Sequence, residues 1–240
     1  MNQQKLYLQH VIKACESSQI ILTDDMLSKL YRYYELLVEW NEKINLTAIT
    51  QIDEVYLKHF ADSIYGSKYF KQNAVVCDLG TGAGFPGLVL KIVRPDLNVV
   101  LVDALDKRIK FLKTVIDELQ LTSIEALHFR AEDKLFKQNY LNTFDYVVAR
   151  AVAKMNTLTE YCLPFVKVGG QMIAYKSDKI NDELFESVNA IKIIGGNNYK
   201  IQTYNLDTET ERWIVVVDKI RETNAKYPRD KNKPKLSPLV

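Results

Sequence analysis

Apolar residues recur at helical spacing over the first part of the chain and then change period. Leu6, Leu8, Val11 and Ile12 fit the buried side of a first helix. Thr23 is placed to cap a second helix, with Asp24 and Asp25 in its first turn, where the helix dipole favours acids. Leu27, Leu30, Tyr31, Tyr34, Leu37 and Val38 mark the apolar face of that helix. Asn41–Thr50 breaks the pattern and Gln51–Phe70 resumes it. With Gly66 their only glycine and no proline, residues 1–73 read as a helical appendage packed on the domain that begins at residue 74. Tyr31, Tyr33 and Tyr34 are candidates either for a core stripe, which is favoured, or for stacking on bases.

From residue 74 short apolar runs alternate with amphipathic segments. The pattern predicts strands at 74–79, 98–103, 124–128, 144–149 and 171–176, with Gly169-Gly170 turning the chain into the fifth. Helices are expected at 86–93, 104–121, 131–136, 155–165 and near 180–191, the first ending at Arg94-Pro95. Two further strands, 199–205 and 212–218, have no room for a helix between them and form an antiparallel hairpin. The expected fold is α/β, a seven-stranded Rossmann-like sheet, mostly parallel with an antiparallel last strand. That closing hairpin favours a methyltransferase sheet over a dehydrogenase, whose second half should show another βαβ unit. Residues 74–218 form this domain, and 219–240 form a separate tail.

The stretch Val75–Gly87, VVCDLGTGAGFPG, carries the chemistry. A buried strand runs into Asp78, and Gly80, Gly82 and Gly84 follow before Pro86 opens a helix. Gly82–Gly87 also fits the dinucleotide pattern, which alone is weak evidence. An acid at 78 suits a ligand bearing an ammonium group and repels pyrophosphate. Asp103, ending the second strand, is placed to accept hydrogen bonds from ribose hydroxyls. S-adenosylmethionine has an ammonium, a sulfonium and a ribose and no phosphate. The bland alternative for both acids is loop or helix capping. Ala131 and Glu132 follow the third strand, within reach of an adenine. Arg150 follows the fourth, where it pairs with a carboxylate or phosphate of a ligand or makes a structural ion pair.

Charge and composition narrow the partners. The chain has 240 residues, 47% hydrophobic and 26% charged, as expected of a water-soluble protein. No run is long and apolar enough for a membrane helix, and the start lacks the apolar centre of a signal peptide, so a cytoplasmic protein is expected. Cys15, Cys77 and Cys162 are too few and too scattered for a disulfide framework. His10, His59 and His128 have no metal-ligand spacing, so no metal is expected. His59 and Asp62 are spaced to pair on one helix face, most simply as a structural hydrogen bond. The net charge of +2 hides an asymmetry: Lys219–Val240 holds seven Lys/Arg and two Asp/Glu. This basic, Pro-containing tail is expected to be extended or mobile, and either to meet a phosphate backbone or only to solubilise.

At this point the chain resembles the bacterial 16S ribosomal RNA guanine-N7 methyltransferase family, RsmG, also called GidB. The matching segments include Asn45-Leu-Thr-Ala, His59-Phe-Ala-Asp-Ser, Asp78–Gly87, Leu101–Arg108, Arg130-Ala-Glu, Asp145–Ala153, Glu211-Arg212 and Lys226-Tyr-Pro-Arg229. The resemblance implies a class I methyltransferase that binds S-adenosylmethionine through Gly80, Phe85, Ala131, Glu132 and Arg150, with Asp103 on the ribose. It also implies an RNA face at Lys107, Arg108, Lys176, Arg212 and the tail, including Lys226 and Arg229. The implied target is guanine 527 of 16S ribosomal RNA, free or in the small-subunit particle, and a monomer is expected. The sequence departs from the family after Lys226-Tyr-Pro-Arg229, where Asp230-Lys-Asn-Lys-Pro stands, and at Tyr175-Lys176-Ser177. Methylation of another RNA or of a small molecule, and RNA binding without catalysis, remain the alternatives.

Overall fold

The computed structural model describes residues 6–177 and 180–239. The first five residues of the expected appendage and Val240 of the expected tail lie outside the described residues. Thr23 accepts from the amide of Met26 and starts the long helix α2 (Asp24–Ile44), which follows α1 (Leu8–Ser17). Helical turns α3 (Ile52–Val55) and α4 (Asp62–Ile64) flank a π-helical stretch, Tyr56–Ala61, which carries His59 and Phe60.

The alternating part begins with β1 (Val75–Leu79), α5 (Gly87–Val93), β2 (Asn98–Asp103), α6 (Asp106–Glu118) and β3 (Ile124–His128). It continues with α7 (Lys134–Tyr140), β4 (Phe144–Arg150), α8 (Met155–Cys162), β5 (Val166–Lys176) and α9 (Asn181–Ile194). The hairpin β6 (Gly196–Asn205) and β7 (Glu211–Lys219) closes the sheet, and a short α10 (Lys233–Leu236) lies in the tail. The strand order is β3-β2-β1-β4-β5-β7-β6. All neighbours from β3 to β5 are parallel, and β7 runs antiparallel to both β5 and β6. The chain reverses its direction of winding between β1 and β4, so the crevice at the carboxyl ends of these strands is where such a sheet takes its ligand.

Side-chain alternation sorts the strands onto two cores. Val76, Leu101, Tyr146, Ile173 and Val216 face a layer made by α5, α6 and the amino-terminal helices, in one continuous cluster. Cys77, Val102, Val147, Met172 and Val217 face α7, α8 and α9. The amino-terminal helices therefore supply much of the cover for one face of the sheet.

Three expectations need correction. The helix expected at 131–136 is Lys134–Tyr140, because Arg130 donates its backbone N–H to Asp133 in a turn that keeps Ala131 and Glu132 out of the helix. The fifth strand starts at Val166 rather than after the glycine pair, and Gly169-Gly170 lies inside it where the pairing with β4 shifts register. The tail is folded back onto the domain rather than extended. Thr223, Tyr227 and Pro234 are buried against the α8–α9 side. No helix among the described residues is long and apolar enough to cross a membrane.

Lys219, at the end of β7, is 1% exposed, with Glu222 near enough to oppose only in part the effect of burial. Its Nζ donates to Leu163 O (2.6 Å) and to the Thr223 hydroxyl (2.7 Å). Burial, aided by repulsion from Arg221, pulls its ammonium down to about 7. Above that pH the folded chain has released a proton that the unfolded chain keeps, so this group makes stability rise with pH from about 7 towards the ordinary lysine range. Urea denaturation between pH 7 and 9 should show a wild-type gain, relative to Lys219→Met, of at least about 1 kcal/mol. Parallel curves for the two proteins would show that Lys219 does not titrate there.

Candidate functional site

Asp78 lies on the same face of β1 as Val76, turned towards the amino-terminal layer, and is fully buried. Its Oδ2 accepts from the Thr81 hydroxyl (2.6 Å) and from the Gly87 amide (2.7 Å). Gly87 is required there, since a Cβ would sit 2.8 Å from that oxygen and 2.4 Å from Leu101 Cδ2. Burial pushes the Asp78 carboxyl up to about 6. It thus ties the two ends of the glycine turn together inside the protein. The expected direct contact with a ligand ammonium is not what the structure places there, because no surface of the carboxylate is open.

The turn itself is held from both sides. Gly80 and Thr81 donate their amides to Val102 O, and Gly82 donates to Asp103 Oδ2 (2.9 Å). On the other side the hydroxyl of the fully buried Tyr33 donates to Ala83 O. A Cβ at Gly82 would meet no protein atom within 4 Å, and the backbone there has φ +62°. The protein leaves the space above Gly82 free for close approach by another molecule.

Two cavities flank the end of β4. The first, about 210 Å³, is walled by Gly80, Asp103, Ala131, Glu132, Val152 and Asn232, among others. It brings together four residues expected at the donor site, Gly80, Asp103, Ala131 and Glu132. Asp103 is 4% exposed and receives the Gly82 amide and Arg108 Nη1 (3.2 Å) on Oδ2 and the Leu105 amide on Oδ1. A carboxylate has about four acceptor positions, so Oδ1 keeps one for a ribose hydroxyl. With the open space at Gly82, these residues fit an adenosine-bearing cofactor.

The second cavity, about 440 Å³, is lined by His59, Asp62, Arg150, Lys176, Glu183 and Arg212, among others. Arg150 lines this cavity and not the first. Its guanidinium is held by Asp62 Oδ2 (2.7 Å), Lys58 O and His59 Nδ1 and lies 5.0 Å from the Phe85 ring centre. Phe85, buried in the amino-terminal core, is stacked on His59 with ring centres 4.4 Å apart. Burial and the neighbouring Arg150 push the His59 imidazole down to about 3, so it is neutral at pH 7. The neutral ring accepts from Arg150 at Nδ1 and donates from Nε2 to the Thr47 hydroxyl, 3.0 Å away. His59 and Asp62 do not pair directly, as their spacing allowed; Arg150 joins them. Asp62, 5% exposed, also accepts from Tyr204 Oη on Oδ1 and lies 3.7 Å from Arg212 Nε.

The expected RNA-facing residues divide. Lys107 is exposed at the start of α6, beside the half-buried Arg108. Lys176 Nζ is engaged by Ala153 O and Glu183 at the wall of the second cavity, where Arg212 also stands. Lys226 is exposed over the Tyr227 ring. Arg229 is half-buried and paired with the fully buried Glu160. Sequence reading missed Glu160, Val152, Tyr161 and Asn232 at this end, and saw Asp62 only as a partner for His59. The available signal was an acid within an apolar helical segment, at Asp62 between Ala61 and Ile64 and at Glu160 in α8.

A family model described as rRNA small subunit methyltransferase G matches residues 26–212. The chain belongs to that family. It is 47% identical over 242 residues to the ribosomal RNA small subunit methyltransferase G of Exiguobacterium sibiricum, with all of both chains covered. Among solved structures, YcgJ of Bacillus subtilis superposes with a TM-score of 0.53 at 13% identity, over 68% of this chain and 100% of that one. M. jannaschii TYW2 in complex with AdoMet superposes with a TM-score of 0.51 at 17% identity, over 66% of this chain and 77% of the other. The shared fold is the class I methyltransferase sheet. In this member of the methyltransferase G family, the glycine turn leans on an amino-terminal helix through Tyr33. Tyr33→Phe leaves the buried Ala83 carbonyl without its partner and should lower unfolding free energy by about 1–3 kcal/mol in urea titrations. An unchanged midpoint would mean that the turn stands without that bond.

Proposed function

We propose that the protein transfers the methyl group of S-adenosylmethionine to N7 of a guanine in 16S ribosomal RNA, at the family target, guanine 527. The observation that carries this reading is the pair of cavities divided by the end of β4. Val152 lines the smaller, and Arg150 and Ala151 line the larger. The smaller has the acceptor, backbone and apolar groups for adenosine. The larger has room for a purine and carries Lys58, Arg150, Lys176 and Arg212 to meet phosphate.

S-adenosylmethionine is the cofactor, and when bound it supplies an electrophilic methyl group on a sulfonium. Asp103 and the turn at Gly80–Gly82 hold its ribose end, and Ala131 and Glu132 stand beside its adenine. Guanine N7 already presents a lone pair in the ring plane, so no proton has to be removed before it attacks. This agrees with a larger cavity whose one histidine is neutral and already engaged on both nitrogens. Catalysis then consists of placement. Arg150, fixed by Asp62 and His59, offers a rigid planar group against which the base is oriented. N7 lies in the deep, narrow groove of A-form RNA, so the target guanine must be in a loop or unstacked.

The decisive experiment supplies labelled methyl donor with small-subunit particles and, separately, with naked 16S RNA from cells lacking the protein. The expected product is N7-methylguanine at the target position. Label on another atom, or on neither substrate, would overturn the proposal. Gly82→Val fills the open space at the turn at a backbone cost of about 1–2 kcal/mol, so the chain should still fold. Calorimetry should then detect no donor binding; wild-type affinity would remove the turn from the site. Lys107→Ala and Arg212→Ala should each weaken RNA binding and lower the slope of log affinity against log salt by about one, with donor affinity intact. An unaltered salt slope would take that residue off the RNA face.

A further inference from the structure

After β7 the chain does not leave the molecule. It crosses the α8–α9 side and returns to the carboxyl edge of the sheet, fixed at successive points. The Thr223 hydroxyl donates to Ile194 O, and Tyr227 is 7% exposed within the second core. Lys137 Nζ donates to Pro228 O (3.1 Å) and to Asp230 Oδ1 (2.8 Å). Arg229 meets Glu160 through both carboxylate oxygens, Nε to Oε1 at 2.8 Å and Nη2 to Oε2 at 2.7 Å, while its own backbone N–H also donates to Oε1. Glu160 is fully buried, so this pair is a fixed internal anchor. Beyond it Arg229 Nη2 donates to Ser237 O, and the Thr157 hydroxyl donates to Pro234 O.

Between these clips the backbone turns through two left-handed residues, Lys231 (φ +59°) and Asn232 (φ +56°). The turn sets Asn232 into the wall of the smaller cavity, across from Gly80 and Asp103. Its Oδ1 accepts from Arg130 Nη1 at 3.4 Å, and Arg130 in turn stands 3.8 Å from Glu132. Among the described residues the Nδ2 amino group of Asn232 has no hydrogen-bond partner. A side-chain amide both donates and accepts, as does the edge of adenine that carries the N6 amino group beside a ring nitrogen.

We propose that this carboxyl-terminal strap is part of the cofactor site, with Asn232 reading the adenine and the Glu160–Arg229 pair positioning it. The proposal rests on the reading of the smaller cavity as the methyl-donor site. It gives Arg229 a role in holding the donor pocket in place of the phosphate contact expected from its charge.

The test is calorimetry on the full chain with S-adenosylhomocysteine and with S-inosylhomocysteine, in which an oxo group replaces the N6 amino group. Wild-type protein should prefer the adenosyl compound. Asn232→Gly, which keeps the left-handed turn, and Asn232→Ala should each bind it about tenfold more weakly and lose most of that preference. Arg229→Gln should show the same loss of preference, while the salt slope of RNA binding stays at its wild-type value in all three variants. Wild-type affinity and preference in either Asn232 variant would overturn the strap assignment alone. A lowered RNA salt slope in Arg229→Gln with intact donor preference would also overturn it, in favour of an RNA contact. Wild-type protein that binds neither compound would overturn the donor reading and the strap with it.

Discussion

The site depends on one buried carboxylate. Asp78 sits where the sheet reverses its winding, and its Oδ2 joins Thr81 and Gly87, the two ends of the glycine turn, across a gap that only a glycine at 87 leaves open. Removing a carboxylate from water is costly, and here two short hydrogen bonds offset only part of that cost, since burial still pushes the group up to about 6. Its Oδ1 has no partner among the described residues. The energy is spent on shape: with its ends tied, the turn directs Gly82 at Asp103 and leaves free space above itself. An acid in this position therefore acts through the backbone it organises.

The larger cavity is arranged on the same logic, with a charged group held by partners that do not themselves face solvent. Asp62 is nearly buried and joins Arg150, Tyr204 and Arg212, which come from three different strands. Exposed pairs such as Lys43–Glu39 contribute little. A pair in which the acid is 5% exposed is different, because losing one partner strands a buried charge. His59 adds to this rigidity while carrying no charge: its Nδ1 accepts from Arg150, and its ring stacks on Phe85, over which the guanidinium lies. In the proposed reaction, which moves no proton, positional order of this kind is what the protein has to supply.

Elements built from apolar runs were legible in the sequence. The second and third strands fall where the Val/Leu and Ile/Leu runs place them, Asn98–Asp103 and Ile124–His128. So was the gathering of Gly80, Asp103, Ala131 and Glu132 on one cavity, because each follows or ends a parallel strand and parallel strands deliver their ends to one edge. Side-chain direction was less legible. Arg150 and Val152 are two residues apart, yet they line different cavities, because the chain turns at Ala151 with φ +57°. The tail misled for a related reason. Its low apolar content argues for an extended chain, but its anchors are polar, and the strongest of them, Glu160–Arg229, joins residues far apart in sequence. Composition cannot register a bond whose other half lies in α8.

The segments outside the alternating sheet therefore complete the site. The glycine turn is common to many ligand-binding sheets, and by itself it offers one wall. The amino-terminal helices add Lys58, His59 and Asp62 to make the larger cavity, and Tyr33 braces the glycine turn through Ala83 O. The carboxyl-terminal segment adds Asn232 to the smaller cavity. Each cavity thus has one wall from the sheet edge and one from a terminal segment, and both segments are fixed through buried polar groups. Helical cover and strap meet the same sheet edge on opposite sides of β4, so the spacing between the two cavities is set by a strand of the sheet.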